Sequence, residues 1–502
     1  LTDERELPFD ERWIPAFKFL LRFGLGFVIA AFYVTASLHF QYTADDTYIY
    51  LQYARNIAQG NGFAFNAGQP SLGTTGPAWV LFIAAGTYAG FDPFVVAKTF
   101  DVVFASLTVL LAHLVTFLIT RDRLYAIAGA LLVGADVWLL RWAGSGMETS
   151  VAAFVLLMSV RFFVTRDFEL SAFGAGFLTL LRPEGILLLA LVLFEGARSR
   201  MRQNSDWKGA ARPFLFAAFP VVPWVVYALL TFGTVLPNTY GAKTIAGFSL
   251  TEMFAGGFSA IQIIAAAQLV PALVLTASLV HAIRRHGWRF AWDEASLALI
   301  IPILILAYAV LSANVISRYL VPFTPLIPIL ALWGLKHAEL HFEWPWKRSL
   351  AILSTVVLIA VAQNIVIYGT VALPHIARFR QGMEECFRPI GYWLRNNTPP
   401  DAKVLAHDVG LIAYVSERTV YDTPGLVTPD VRRAFGTVPP DEAMAQGLYR
   451  AAVVPDYVVD RSRVPERLAG ASMSPQLTLP FPGVGIRSTD TLFYTVYKVE
   501  QK

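Results

Sequence analysis

Twelve apolar segments punctuate this chain, at about 19–40, 77–90, 94–119, 124–141, 147–164, 168–182, 184–196, 213–232, 259–283, 295–312, 319–335 and 348–370. A bilayer core is crossed by roughly 20 apolar residues in a helix, so a chain that repeats such segments calls for lipid rather than a water-solvated core. Composition agrees: 56% of the 502 residues are hydrophobic and 15% charged, which excludes an ordinary soluble domain. The formal charge of +4 is spread in short groups between apolar segments, without the basic runs of a nucleic-acid binder. The lone cysteine, Cys386, rules out an intramolecular disulfide. Residues 1–16 are polar and mixed in charge, and no small-residue cleavage site follows, so the first apolar segment is expected to be a retained span.

Charge orders the segments. "TRDR" (120–123), "VTRD" (164–167), "ARSRMRQ" (197–203), "IRRHGWR" (283–289) and the "WKR" ending at Arg348 are basic loops, which belong on the cytoplasmic side. Counting every segment as a crossing puts Arg121 and Arg123 outside. If the short segment 77–90 is instead a juxtamembrane or re-entrant helix, every basic cluster falls inside. The expectation is an α-helical polytopic membrane protein of about eleven transmembrane helices plus juxtamembrane helices. Residues 1–371 form the membrane module, with a first external loop at about 41–93. Residues 372–502 form a small external α/β domain, because the apolar runs stop there and strand-like stretches separated by Pro- and Gly-rich turns begin.

That arrangement gathers the unusual polar motifs on one side. "ADD" places Asp45 and Asp46 at the first exit from the bilayer. Adjacent acids repel and raise each other's pKa unless a cation or donors sit close. A plain helix N-cap is the simpler reading of either one. "SGMETS" puts Glu148 at a span end, where a capping box with Ser145 would also explain it. "LLRPEG" holds Arg182 and Glu184 in a tight break, either functional at that depth or simply paired with each other. "LPNTYGAKT" offers Asn238, Tyr240 and Lys243, and "ISRYL" offers Arg318 and Tyr319. Singly, such cations are usually snorkelling anchors. Together they suit a phosphate-bearing lipid and an acid–base reaction.

In this order, "ADDTYIYLQYARNIAQGNGFAFNAGQ", "SGMETS", "LLRPEGILLL", "GTVLPNTYGAK", "SRYLVPFTPLIPIL" and "HDVGLIAY…VYDTPGLVTPD" resemble one bacterial branch of the GT-C membrane glycosyltransferases. That branch includes the terminal arabinofuranosyltransferase of mycobacterial arabinans. The resemblance implies a multi-pass enzyme of the bacterial cytoplasmic membrane. It would move a sugar from a polyprenyl-phosphate donor to an extracytoplasmic glycan, glycolipid or protein acceptor. It also implies an essential acid in the first external loop. Arabinofuranose is the sugar it points to first, with mannose or an amino sugar as alternatives. A lipid-linked sugar flippase is the competing class.

Displacement at an anomeric carbon needs a base, here assigned to Asp45 by analogy, with Asp46 orienting it or holding a sugar hydroxyl. A single such transfer inverts the centre, whereas a carboxylate acting as nucleophile would retain it. Lys243, Arg318 and Arg182 are the candidates for the leaving phosphate. Asn238, Tyr240, Tyr319 and Glu148 are expected to contact sugar or acceptor. His407, with Asp408 and Asp422, could line the acceptor side, although turn and strand-end roles explain them more simply. Glu148 could complete a Mg²⁺ or Mn²⁺ site with Asp45 and Asp46, since those ions favour carboxylate oxygens. An apolar groove for the lipid tail is expected between helices.

Overall fold

A computed structural model of the chain describes residues 14–202, 207–238, 250–286, 292–311, 315–436, 438–470, 472–483 and 491–500. The first long helix, α1 (Ile14–Leu38), leads through Tyr42 into the polar helix α2 (Asp45–Ala58), a small hairpin of β1 (Ala64–Asn66) and β2 (Gln69–Pro70), and α3 (Pro77–Tyr88). Helices α2 and α3 pack on each other. The apolar segment at 77–90 is thus a short helix paired with a polar one.

Next comes α4 (Pro93–Thr120). Asp92 caps it by accepting from the Val95 amide at 3.0 Å, and Pro93 occupies the first turn, where its missing N–H costs nothing. Its 28 residues rise about 42 Å, enough to cross a bilayer. The bundle continues with α5 (Arg123–Gly134), α6 (Val137–Trp142), α7 (Thr149–Val164), α8 (Phe168–Leu181), α9 (Ile186–Arg202), α10 (Trp207–Phe232), α11 (Leu250–His286), α12 (Ile300–Val310), α13 (Ser317–Leu320), α14 (Leu326–His341) and α15 (Trp346–Ile367). Among the described residues, four helical stretches are long and apolar enough to cross a membrane, at 93–120, 209–232, 251–285 and 346–397. Six shorter apolar helices accompany them.

The bundle has two polar ends. Beyond the C-terminus of α4, Lys336 pairs with Asp122 and Glu339, each at 2.9 Å, and Tyr125 donates to Glu339 at 2.8 Å. The basic loop 120–123 therefore lies against the end of α14. At the start of α4, Lys98 donates to the carbonyl of Tyr42 and to Thr43 Oγ1 (3.1 Å), and the Asp101 carboxylate accepts from the Gly146 amide (2.9 Å) and Ser145 Oγ (3.2 Å). One helix thus fixes both the "ADD" and the "SGMET" turns.

The C-terminal part opens with helices α16 (Leu373–Gly382) and α17 (Arg388–Asn397), then builds a five-stranded sheet in the order β4–β3–β5–β7–β6. Here β3 is Lys403–Ala406, β4 Thr419–Asp422, β5 Tyr457–Ser462, β6 Met473–Pro482 and β7 Thr491–Val499, with α18 (Gly410–Ser416) connecting β3 to β4. Strand β3 runs parallel to β4 and β5, and β7 is antiparallel to β5 and β6. An open edge at β4 would leave backbone groups unpaired. Asn66 from β1 covers it: its amide donates to the Val420 carbonyl (3.0 Å) and its oxygen accepts from the Val420 amide (3.1 Å). The first loop of the membrane module and the sheet are joined through this side chain.

Candidate functional site

Helix α2 starts with both acids in its first turn, after Ala44, which makes no side-chain cap. Successive residues on a helix point about 100° apart, so the two carboxylates go to different places. Asp45 turns to the C-terminal part, where its oxygens accept from the backbone amides of Gly410 (3.0 Å) and Leu411 (2.8 Å) at the start of α18. A β-carbon on Gly410 would lie 2.0 Å from the Asp45 carbonyl oxygen, so only glycine permits this approach. Burial pushes the Asp45 carboxyl up to about 7, with Asp408 adding to the rise and the Leu411 amide opposing it.

Asp46 faces a small pocket and forms an ion pair with Arg318. The pocket, of about 60 Å³, is lined by Asp46, Tyr50, Thr74, Glu148, Arg182, Arg318 and Tyr319 among others, and by Leu426 from the C-terminal part. A second ion pair forms its wall: Arg182 Nε lies 2.9 Å from Glu148 Oε1, with side-chain exposures of 4% and 1%. Arg182 Nη2 also donates to the Arg318 carbonyl at 3.1 Å, tying the two arginines together.

The local sequence explains these positions. Glu148 stands at the N-cap of α7 but makes no cap bond, and Ser145 is engaged by Asp101, so the capping-box explanation does not hold. Gly146, at φ +87°, makes the turn that a β-carbon could not, because Thr47 Cγ2 would be 2.6 Å away. Arg182 does not pair with its near neighbour Glu184, which instead accepts from Tyr308 Oη at 2.7 Å. The "PGLVT" loop is folded around Asp422, whose carboxylate accepts from the amides of Leu426, Val427 and Thr428 and from Thr428 Oγ1. That loop delivers Leu426 to the pocket.

Of the residues singled out from the sequence, Asp46, Glu148, Arg182, Arg318 and Tyr319 meet in this pocket. Asn238 stands at its rim, with its amide on the Leu72 carbonyl (2.9 Å) and its side chain on the Leu426 carbonyl (3.2 Å). His407 does not line the pocket; its Nδ1 meets Thr423 Oγ1 at 2.9 Å, and burial lowers its pKa. Tyr240 and Lys243 lie outside the described residues. Lys98, Asp101 and Arg141, all buried, were not singled out, although ionisable residues inside apolar stretches are the signal that would have found them.

The carboxylates do not fit a three-acid cation site as they stand. Asp45 is committed to two backbone amides, Asp46 to Arg318 and Glu148 to Arg182. Among the described residues no three His, Cys, Asp or Glu side chains are grouped to hold a metal.

An apolar groove of about 510 Å³ lies beside the pocket, lined by Phe63, Pro77, Leu81, Phe177, Trp224 and Tyr227 among others. Pro77 and the pocket residue Thr75 are separated by Gly76 alone. A site with two guanidinium groups, a carboxylate open to solvent at its mouth and an adjoining apolar channel can hold a phosphate ester of a long apolar alcohol.

Comparisons with known proteins agree on the architecture. Residues 374–496 match a family profile described as "Domain of unknown function (DUF8728)". The terminal β-(1→2)-arabinofuranosyltransferase of Mycobacterium tuberculosis is 26% identical in an alignment of 244 residues that covers 44% of this chain. The match spans 38% of that relative's length. The archaeal oligosaccharyltransferase AglB of Archaeoglobus fulgidus, in complex with an inhibitory peptide and a dolichol-phosphate, aligns over 88% of this chain and 69% of its own at TM-score 0.53 and 13% identity. ArnT of Cupriavidus metallidurans, bound to undecaprenyl phosphate, aligns over 93% and 97% at TM-score 0.51 and 13% identity. At 13% identity these two likenesses are of fold, over 88% and 93% of the chain.

Proposed function

We propose that this chain, which carries the fold of the GT-C membrane glycosyltransferases, transfers a sugar from a polyprenyl-phosphate donor to an extracytoplasmic acceptor in a bacterial cytoplasmic membrane. The observation that carries the reading is the Asp46–Arg318 pair, set beside Glu148–Arg182 at the mouth of an apolar groove.

In this reading the prenyl tail lies in the groove and the donor phosphate enters between Arg318 and Arg182. Arg318 has a donor to spare, since its Nε meets no acceptor among the described residues. The incoming phosphate draws Arg318 toward itself and releases Asp46. Asp46 then takes the proton of the acceptor hydroxyl as its oxygen attacks the anomeric carbon. The bond from that carbon to the phosphate oxygen breaks, the electron pair leaves with the phosphate, and the two guanidinium groups stabilise the new charge. A single displacement inverts the centre. Asp45, which the sequence resemblance made the base, is held by Gly410 and Leu411 and serves instead to seat α2 on α18. Lys243, the third cation put forward from the sequence, lies outside the described residues. No step is routed through a metal.

The weak match to the arabinofuranosyltransferase supports arabinofuranose as the sugar. Purified protein in detergent, supplied with a short-chain polyprenyl-phosphoryl arabinofuranose or its mannose counterpart and an arabinan or mannan oligosaccharide, tests this. Transfer from the arabinose donor alone is expected. Transfer from the mannose donor alone replaces the sugar, and binding of donors with no transfer to any acceptor leaves the flippase reading.

A further inference from the structure

Among the described residues, every other buried cation around the site has an acid at hand: Arg182 has Glu148, Arg318 has Asp46, and Lys98 has Asp101 one helical turn away. Arg141 in α6 has none. It is 3% exposed, and its hydrogen-bond partners are neutral. Nη1 donates to Ser317 Oγ at 3.1 Å, and Nη2 lies 3.4 Å from Tyr42 Oη and 3.0 Å from His375 Nδ1. Facing a guanidinium, that imidazole nitrogen must be the unprotonated acceptor. The Trp142 ring covers the group at 4.6 Å and the Tyr42 ring at 5.8 Å. Nε is buried without a hydrogen-bond partner. No carboxylate pairs with Arg141 among the described residues.

An isolated buried charge is costly unless something compensates it. The place where compensation can arrive is adjacent. Ser317, which receives both Arg141 and the Trp142 indole N–H (2.9 Å), directly precedes Arg318, and the Arg318 guanidinium lies 6.0 Å from the Trp142 ring. The unpaired positive charge therefore stands immediately behind the arginine that faces the pocket, in protein of low dielectric where its field is poorly screened.

We propose that Arg141 is the standing counter-charge for an anionic ligand in the pocket, a positioning residue that makes the empty site electrostatically incomplete and selects a phosphate over a neutral lipid head. The inference rests on the reading of this pocket as a phosphate site. It makes an unusual demand. Removing Arg141 relieves the empty protein of an uncompensated charge while weakening the anionic ligand, whereas a merely structural arginine would do the reverse.

The test is thermal unfolding of the full chain in detergent, with and without farnesyl phosphate, and with farnesol as the uncharged control. Wild type is expected to be stabilised by farnesyl phosphate well beyond farnesol. Arg141→Met should unfold at the same or a higher temperature when empty and bind farnesyl phosphate at least about tenfold more weakly, with farnesol unaffected. Arg141→Lys, which keeps the charge, should recover most of the difference. An Arg141→Met protein that is destabilised when empty yet binds farnesyl phosphate as wild type does would overturn the inference and leave the phosphate site standing. Wild type that does not distinguish farnesyl phosphate from farnesol would overturn the phosphate site itself, and the role of Arg141 with it.

Discussion

At the pocket end, Arg182 meets Glu148 at 2.9 Å with side-chain exposures of 4% and 1%, whereas at the far end of α4 Lys336 reaches Asp122 at the same distance with exposures of 14% and 30%. The chemistry is alike and the setting is not. At the far end a lysine of α14 shared by Asp122 and Glu339 ties the basic loop 120–123 to that helix, and the ions keep more contact with water. At the pocket end water is largely gone, so each ion depends on its partner and on backbone donors. Buried ion pairs offer little net stability over apolar packing, and in the proposed reading the pocket pairs are kept for the donor phosphate and the acceptor. The far end records topology, and the pocket end records chemistry.

Breaking the pairs separates the two ends. Arg182→Met or Glu148→Gln alone should lower stability in detergent by about 3–5 kcal/mol, because each leaves the other ion buried and alone. The double variant Arg182→Met/Glu148→Leu should be less damaged than either single one while still failing to transfer sugar. Thermal unfolding beside an activity assay reads both. If each single change costs under about 1 kcal/mol, the pocket end is no different from the surface.

Next in size is the seat of α2 on α18. Gly410→Ala should cost about 1–3 kcal/mol, as other overpacked sites do, since its methyl meets the Asp45 backbone. Denaturation together with protease sensitivity between α17 and α18 would locate the loss. A smaller effect follows from Asp45 itself. Its pKa rises from 3.8 to about 7 on folding, so the folded state holds the extra proton between those values. Its contribution to stability is therefore greatest at low pH, falls as pH rises from about 4 to about 7, and is flat above. Unfolding of wild type and Asp45→Asn across that range should differ by this slope. Smallest of all, Lys336→Ala at the far end should change stability by about 1 kcal/mol or less and leave transfer unaltered.

Much of this was legible in the chain because the signals were local. The apolar segments marked the helical bundle, and the polar motifs "ADD", "SGMET", "RPEG" and "SRY" supplied the five residues that meet in the pocket. The division of labour between Asp45 and Asp46 was not legible. Helical geometry says that neighbours diverge, but only the docking of Gly410, far along the chain, decides which acid faces which way. Arg182 and Glu184 looked like a pair by proximity, yet the turn at Pro183 sends them to Glu148 and Tyr308. Lys98, Asp101 and Arg141 sit inside apolar stretches, "VVAKTFDVV" and "VWLLRWAG", where a hydropathy reading passes over them. Most of their partners, Tyr42, Thr43, Gly146, Ser317 and His375 among them, come from segments that sequence spacing does not connect.

On the proposed reading, Asp46 acts on the acceptor while Asp45 holds the two parts of the protein together. Donor binding and sugar transfer should be measured side by side for Asp46→Asn and Asp45→Asn with the short-chain donor. Asp46→Asn is predicted to bind donor and lose transfer by about a hundredfold or more, and Asp45→Asn to keep most of its transfer with a weakened junction at α18. An Asp45→Asn protein that is folded, binds donor and transfers nothing, beside an active Asp46→Asn, would contradict the account.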